Sequence, residues 1–345
     1  MPPSNVPDPT LVQKQLPSVV PHRPLPWGRL LLGLLLGGLG LWLVTRGVTP
    51  AGIAQALRQS QPLYIFLALF NILLTTLAKS WRWQLLFYPD QTTTPLRPAF
   101  WSLTLGQMLN TILPVRVGDL ARVYALDYQT KVGKARALGT LVVEKMLELI
   151  VLALTLFLLL PLVVVPEFAG DSRLVLAAGS GTVFFALYLL AYQTGRVVRL
   201  LNWVGNRLPG WLSGRVIPLL LTGLNGLSAL RKRRMTALLI ALSVGIGFLH
   251  LFTPLLLFAA FNIPFGLTEA AVLHLVLAVG SSPPATPPVN VGLFEFLVVY
   301  TLNYLGLTQH DLNLTYAVVF HLVILLPQVI LGSLAVVRLN TPLQL

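Results

Sequence analysis

The sequence predicts an all-α polytopic membrane protein with about six full spans and two broken, re-entrant helix pairs, arranged as an inverted-topology repeat. Three observations carry this. First, 55% of the 345 residues are hydrophobic and only 10% are charged, whereas soluble domains carry about 25% charge. Second, six apolar stretches, roughly 27–45, 62–80, 137–165, 173–193, 235–261 and 313–338, reach the about 20 residues that cross a bilayer. Third, two segments 174 positions apart share a pattern: Gly, Pro, Val, Val and Gly recur in register at 106/280, 114/288, 115/289, 117/291 and 118/292. Paired Pro/Gly-broken segments in the two halves of a hydrophobic chain point to a substrate site between repeats.

The elements follow in order. Residues 1–26 hold eight prolines and little apolar pattern, and read as a disordered tail. The run 30–44 resembles a signal-peptide core, but the small-residue site Ala54-Gln55-Ala56 lies too far beyond it, past Arg46. The run is therefore an uncleaved first span. The second span ends in Lys79, Trp81, Arg82 and Trp83, the mix expected of a snorkelling, aromatic belt at a membrane interface; contact with lipid headgroups entering the cavity is the other reading. Regions 96–129 and 268–306 are apolar but interrupted by the shared motif, and each fits a helix–loop–helix that enters and returns on one side. The domain is thus 27–340, with halves of about 27–165 and 173–338.

Charge sets the orientation, because Lys and Arg concentrate in cytoplasmic loops. The stretch 194–234 carries eight of the 24 basic residues and no acid, so it faces the cytoplasm. Its Trp203 and Trp211 amid apolar and basic residues suggest helices lying on the membrane surface against anionic headgroups; a docking site for a protein partner is the other reading. Glu167 and Asp171 in one loop and Asp311 in another face outward. Both termini are then cytoplasmic, 96–129 re-enters from inside and 268–306 from outside. The two halves become inverted copies, with Arg46 and Arg58 as the misfits.

Candidate site residues are those that cost most to keep in a membrane. In Leu113-Pro114-Val115-Arg116-Val117-Gly118-Asp119, Arg116, Asp119 and Arg122 fall at helical spacing. Asp119 is placed to orient both guanidiniums, whose planar forks suit phosphate. The helix start beside them adds free N–H groups. The competing reading is a juxtamembrane salt bridge. Glu144 and Glu148, one turn apart in the third span, line the same cavity and pair with Arg116 or Arg122, or else anchor an interface. In the second motif Asn290 takes the place of Arg116, and Glu295 sits between Phe294 and Phe296, where it needs a partner or a water path. Pro114, Gly118, Pro288 and Gly292 are the candidate hinges. His250, His274 and His321 are isolated in apolar stretches and read as packing residues rather than proton relays.

No thiol exists and no ligand cluster has metal-site spacing, so neither a metal nor a cofactor is expected. Walker, nucleophile-elbow and dinucleotide motifs are missing from the sequence. The net charge of +13 sits in loops between spans, which favours lipid headgroups over nucleic acid as the partner.

These residues give a family likeness. Leu113-Pro114-Val115-Arg116-Val117-Gly118-Asp119-Leu120-Ala121-Arg122 resembles the Pro-x-Arg-x-Gly-Glu/Asp-x-x-Arg motif of the transmembrane region of lysylphosphatidylglycerol synthases and the related single-domain flippase-like proteins. Glu144-Lys145 is similar to that family's Glu-Arg pair, and Pro288 to Glu295 resembles its Pro-x-x-Gly-Gly-x-Gly-x-x-Glu stretch, with Asn290 in place of a Gly. The likeness spans about residues 27–340. It implies lipid handling in the bacterial inner (plasma) membrane. The chain ends at Leu345, soon after the last span, so no aminoacyltransferase domain is expected. The reading is a translocase for a phosphate-bearing lipid, phospholipid or polyprenyl/glycolipid. The alternatives are an integral-membrane transferase acting on a lipid-linked sugar or aminoacyl lipid, and a non-catalytic scaffold.

Overall fold

The computed structural model describes residues 49–89, 94–113, 117–159, 232–280 and 288–339, with Trp42 and Thr45. The tail 1–26, most of the span 27–45, the span 173–193 with the acidic loop before it, nearly all of the 194–234 loop, and residues 114–116 and 281–287 lie outside the described residues.

Among the described residues the chain is all helical. Helix α1 (Pro50–Gln59) starts with Pro50 behind Thr49, whose Oγ1 accepts from the Gly52 N–H at 3.0 Å, a regular N-terminal cap. Helix α2 (Pro62–Leu85) also starts on a proline. Helix α3 (Leu96–Ile112) stops one residue before the residue that precedes Pro114, where the α region is disfavoured. Helix α4 (Gly118–Thr130) ends on Lys131 in the left-handed region at φ 54°. Helix α5 (Lys134–Leu159) follows, then α6 (Arg233–Ala260), which contains Pro254. Helix α7 (Leu267–Gly280) leads to a 3-10 turn at Pro288–Asn290, and α8 (Leu293–Tyr304) to α9 (His310–Leu339), which contains Pro327.

Helices Pro62–Leu85, Arg234–Ala260 and His310–Leu339 are long and apolar enough to cross a membrane. Helix α5 has 26 residues but carries Glu144, Lys145 and Glu148 in its middle, and those charges have a destination described below. The protein is an all-α polytopic membrane protein. The motif regions 96–129 and 268–306 each form two shorter helices that pack on one another, α3 on α4 and α7 on α8.

The most extensive helix pairing is that of α2 with α6. Asn71 clasps them: its buried Nδ2 donates to the Leu249 carbonyl at 2.7 Å and to Thr253 Oγ1 at 2.9 Å. Two apolar cores lie at opposite ends of this pair. One gathers Leu257, Phe258, Phe261, Leu273, Val298 and Tyr316, the other Trp83, Leu86, Phe87, Val123, Leu126 and Val143. The polar residues of α2 and α6 lie between the two.

The repeated glycines mark where broken helices cross. A Cβ on Gly118 would fall on the Gly106 carbonyl oxygen, and one on Gly106 would meet the Gly118 oxygen at 2.7 Å. Asn110 uses this closeness: its Oδ1 accepts from the Gly118 N–H at 2.8 Å and so caps α4 from the preceding helix. In the second motif a Cβ on Gly280 would meet Leu297 Cδ1 at 2.6 Å. Small residues that let backbones approach are a regular device of helix pairs in membranes. Gly118→Ala is therefore expected to destabilise the protein by about 1–3 kcal/mol through overpacking, read as a lower thermal midpoint in detergent; a midpoint equal to wild type would remove this account of the crossing.

Candidate functional site

The polar stripe on α2 (Asn71, Thr75, Lys79, Arg82) faces the bundle interior. Arg82 is 1% exposed and its Nη2 lies 3.0 Å from Glu148 Oε1 and 3.5 Å from Glu144 Oε1, while Nη1 donates to Ser243 Oγ at 3.4 Å. The sequence reading of Lys79, Arg82 and Trp83 as an interfacial belt is thereby corrected. Helix α2 runs a further turn to Leu85, and α4, α5 and α6 enclose its last turns, so Arg82 and Trp83 are buried and only Trp81 is exposed.

Arg122, on the second turn of α4, is the other buried cation. Its Nη2 and Nη1 contact Glu144 Oε2 and Oε1 at 3.1 and 3.3 Å, and its Nε lies 3.5 Å from Asp119 Oδ1. The guanidinium sits over the Trp83 ring, 4.9 Å from the centroid, and the Trp83 indole N–H is fixed by Thr140 Oγ1 at 3.1 Å. Aromatic stacking, one hydrogen bond from Nη1 to Glu144 Oε1 and the close ion pair of Nη2 with Oε2 hold the guanidinium in place. Glu144 thus bridges two guanidiniums. Lys145 Nζ pairs with Glu148 Oε2 at 3.0 Å.

These groups line a cavity of about 650 Å³, together with Lys79, Gln107, Asn110 and Gln328. Among the described residues its wall carries four cations (Lys79, Arg82, Arg122, Lys145) and three carboxylates (Asp119, Glu144, Glu148). An isolated ion inside a membrane is expensive, and a paired charge network against a polar cavity is the arrangement that lowers this cost. One cation is in excess, and Lys79 takes part in none of the ion pairs among the described residues.

Two further spaces adjoin it. A cavity of about 250 Å³ shares Lys79, Gln107, His250, His274, Ala278 and Gln328 with it and continues to Phe294 and Phe320. An apolar groove of about 220 Å³ between α5 and α6, lined by Leu154, Leu158, Val244, Phe248 and Leu251, shares Val151, Thr155 and Gly247 with it.

The residues expected from the sequence fall into three groups. Asp119, Arg122, Glu144 and Glu148 come together on this cavity wall. Arg116 and Pro114 lie outside the described residues. Asn290 and Glu295 sit apart from the charged wall. Glu295 is 6% exposed; its Oε2 accepts from the Gly292 N–H at 2.7 Å, closing the first turn of α8, and its Oε1 lies 2.6 Å from His321 Nδ1. His321, read in the sequence as a packing residue, is thus the partner Glu295 needs, and Phe294 stacks on its ring at 4.5 Å. Val289 and Asn290 adopt φ 60° and 57°, and Gly292 83°; a β-branched residue there stores strain, which fixes a sharp bend. That bend packs against α3.

Sequence reasoning placed Arg82 and Lys79 at an interface first and on the cavity only as its second reading, and it missed the amides of α3 and α9. The signal was present: Asn71, Thr75, Lys79 and Arg82 recur at helical spacing along one face of α2. It also missed that His250 and His274 stack on each other, with ring centroids 5.3 Å apart.

Fold and site together define a polytopic helical membrane protein with a charged interior cavity. Residues 30–332 match the family described as the lysylphosphatidylglycerol synthase TM region, and the chain belongs to that family, a membrane family related to lipid handling. Comparison with curated proteins finds no match, and comparison with solved structures finds none either.

Proposed function

We propose that this protein is a lipid translocase that moves a phosphate-bearing lipid across the membrane through a midplane cavity between two inverted halves. The observation that carries the reading is the buried pair of arginine forks, Arg82 and Arg122, presented to a cavity with one cation in excess. Planar, pre-oriented forks suit the oxygens of a phosphate. The apolar groove between α5 and α6 shares the cavity's wall, which gives the hydrocarbon tail a place while the head is held.

The packing supports the inverted repeat. Exchanging α2, α3, α4 and α5 for α6, α7, α8 and α9 carries contacts onto contacts: α3–α4 becomes α7–α8, α4–α5 becomes α8–α9, α3–α9 becomes α7–α5, and α2–α6 becomes itself. The same offset of 174 seen in the motifs takes Trp83, Leu86, Phe87, Ala99 and Val143 of one core to Leu257, Ala260, Phe261, Leu273 and Ala317 of the other. In such a protein, the pieces entering at 96–129 and 268–306 are re-entrant, and access alternates by rocking of the halves. Arg116 and Arg122 receive the headgroup from the cytoplasmic side; Asn290 and Glu295 serve the opposite side.

The test is a headgroup-accessibility assay. Purified protein in liposomes with fluorescent phospholipid or polyprenyl-phosphate analogues is expected to expose inner-leaflet label to a membrane-impermeant quencher, while Arg116→Ala and protein-free vesicles keep it protected. Equal protection in all three, across both lipid classes, would overturn the translocase reading. A lipid product of altered mass would point to the transferase alternative.

A further inference from the structure

At the junction of the charged cavity and the smaller, largely apolar one, His250 of α6 and His274 of α7 stack with centroids 5.3 Å apart and an interplanar angle of 27°. Both line both cavities, and among the described residues neither ring nitrogen has a hydrogen-bond partner in the protein. Lys79, the cation outside the ion-pair network, lines the same two cavities. Anything passing from the Arg82–Arg122 chamber towards Phe294 and Phe320 goes past these three side chains.

We propose that Lys79, His250 and His274 form a second phosphodiester subsite, and that the histidine pair takes up one proton from water as the anion enters it. The inference rests on the translocase reading and adds a waypoint and a coupled ion to it.

The argument is electrostatic. Arg82 and Arg122 are each matched by carboxylates, Glu144, Glu148 and Asp119. A headgroup that leaves them for the narrower cavity loses both forks. Of the neighbours there, α3 and α9 supply only the neutral Gln107 and Gln328. Charged groups facing the pair come from α2 (Lys79, Arg82) and from α5 (Glu144, Lys145, Glu148). On α8, Glu295 is held by His321 behind Phe294. A monoanion beside two neutral imidazoles and one ammonium gains a charge-assisted hydrogen bond when one ring accepts a proton, and histidine is the side chain that changes charge near neutral pH. Stacked rings cannot both become cations without repulsion, so the pair carries one proton. The phosphodiester itself does not titrate in this range.

Calorimetric titration of the purified full chain with dihexanoylphosphatidylglycerol, in buffers of differing ionisation enthalpy, tests this. Wild type is expected to take up about one proton per lipid near pH 6 and to bind about tenfold more weakly near pH 8. The double variant His250→Gln, His274→Gln keeps shape and polarity and is expected to bind with no proton uptake and with an affinity independent of pH, whereas each single variant keeps one imidazole and is expected to retain the uptake. If that variant fails to fold, His250→Asn, His274→Asn replaces it. Binding by wild type without proton uptake overturns the subsite and leaves the translocase reading standing. Uptake that persists in the double variant also overturns it, because the proton then sits elsewhere. No binding at either pH removes the proposal together with the reading it rests on. Glycerophosphoglycerol, the same diester without tails, separates the sources: equal uptake with it keeps the subsite but assigns it to a free phosphodiester.

Discussion

Arg122→Ala is expected to cut lipid translocation about 100-fold, equivalent to about 2.7 kcal/mol, with the protein still folded. The guanidinium is stacked on Trp83 and squared by Glu144, so it is held ready to give two charge-assisted bonds of about 1.5–3 kcal/mol each. Removing it leaves buried Glu144 only Arg82 at 3.5 Å, so the thermal midpoint is expected to fall as well, and the comparison of the two readouts separates binding from folding. Arg122→Lys keeps the charge but loses the fork and the stacking plane, and is expected to retain about a tenth of the rate. The check is the fluorescent-lipid assay beside a thermal midpoint. A folded Arg122→Ala protein that translocates at the wild-type rate would show that the headgroup does not use this fork.

Glu144→Ala is expected to have the largest effect on stability. Glu144 is 2% exposed and contacts both buried guanidiniums. Its loss leaves Arg122 with only the 3.5 Å contact to the half-buried Asp119, and stranding a buried charge costs about 3–5 kcal/mol. A fall in thermal midpoint of about 10 °C would follow. Glu148→Ala should cost less, because Glu148 is 30% exposed and Glu144 remains beside Arg82. The double variant Arg122→Met, Glu144→Met removes the stranded charge with its partner, leaves Arg82 on Glu148, and is expected to recover most of the loss. If Glu144→Ala melts with wild type, the network is not what holds α2, α4 and α5 together.

Much of this architecture could be read from the chain. Apolar stretches at 62–80, 137–165, 235–261 and 313–338 correspond to α2, α5, α6 and α9, because about 20 apolar residues have few other uses. The broken regions resolve into helix pairs because Pro and Gly end helices locally. Arg122 with Asp119 and Glu144 was legible for a similar reason: charges three and four apart share a face, and a membrane forces them to find each other. Arg82 was not. A charge at the end of an apolar run usually snorkels, and only the tertiary enclosure of the last turns of α2 makes it interior. The Glu295–His321 and His250–His274 pairs join residues 24 to 26 positions apart on different helices, and local periodicity says nothing about which helix meets which.

Glu144 meets Arg82 through Oε1 at 3.5 Å and Arg122 through both oxygens, Oε1 at 3.3 Å and Oε2 at 3.1 Å. A ligand that occupies Arg122 leaves this carboxylate on Arg82, and the departing ligand hands Arg122 back. In the proposed translocase, head-group entry is then an associative substitution at a shared centre: the incoming anion arrives before the outgoing one has fully left. No step exposes a bare charge to hydrocarbon, so the barrier contains no full desolvation of an ion. A site built this way gives moderate affinity with rapid turnover, the kinetic character required of a carrier and unlike that of a receptor.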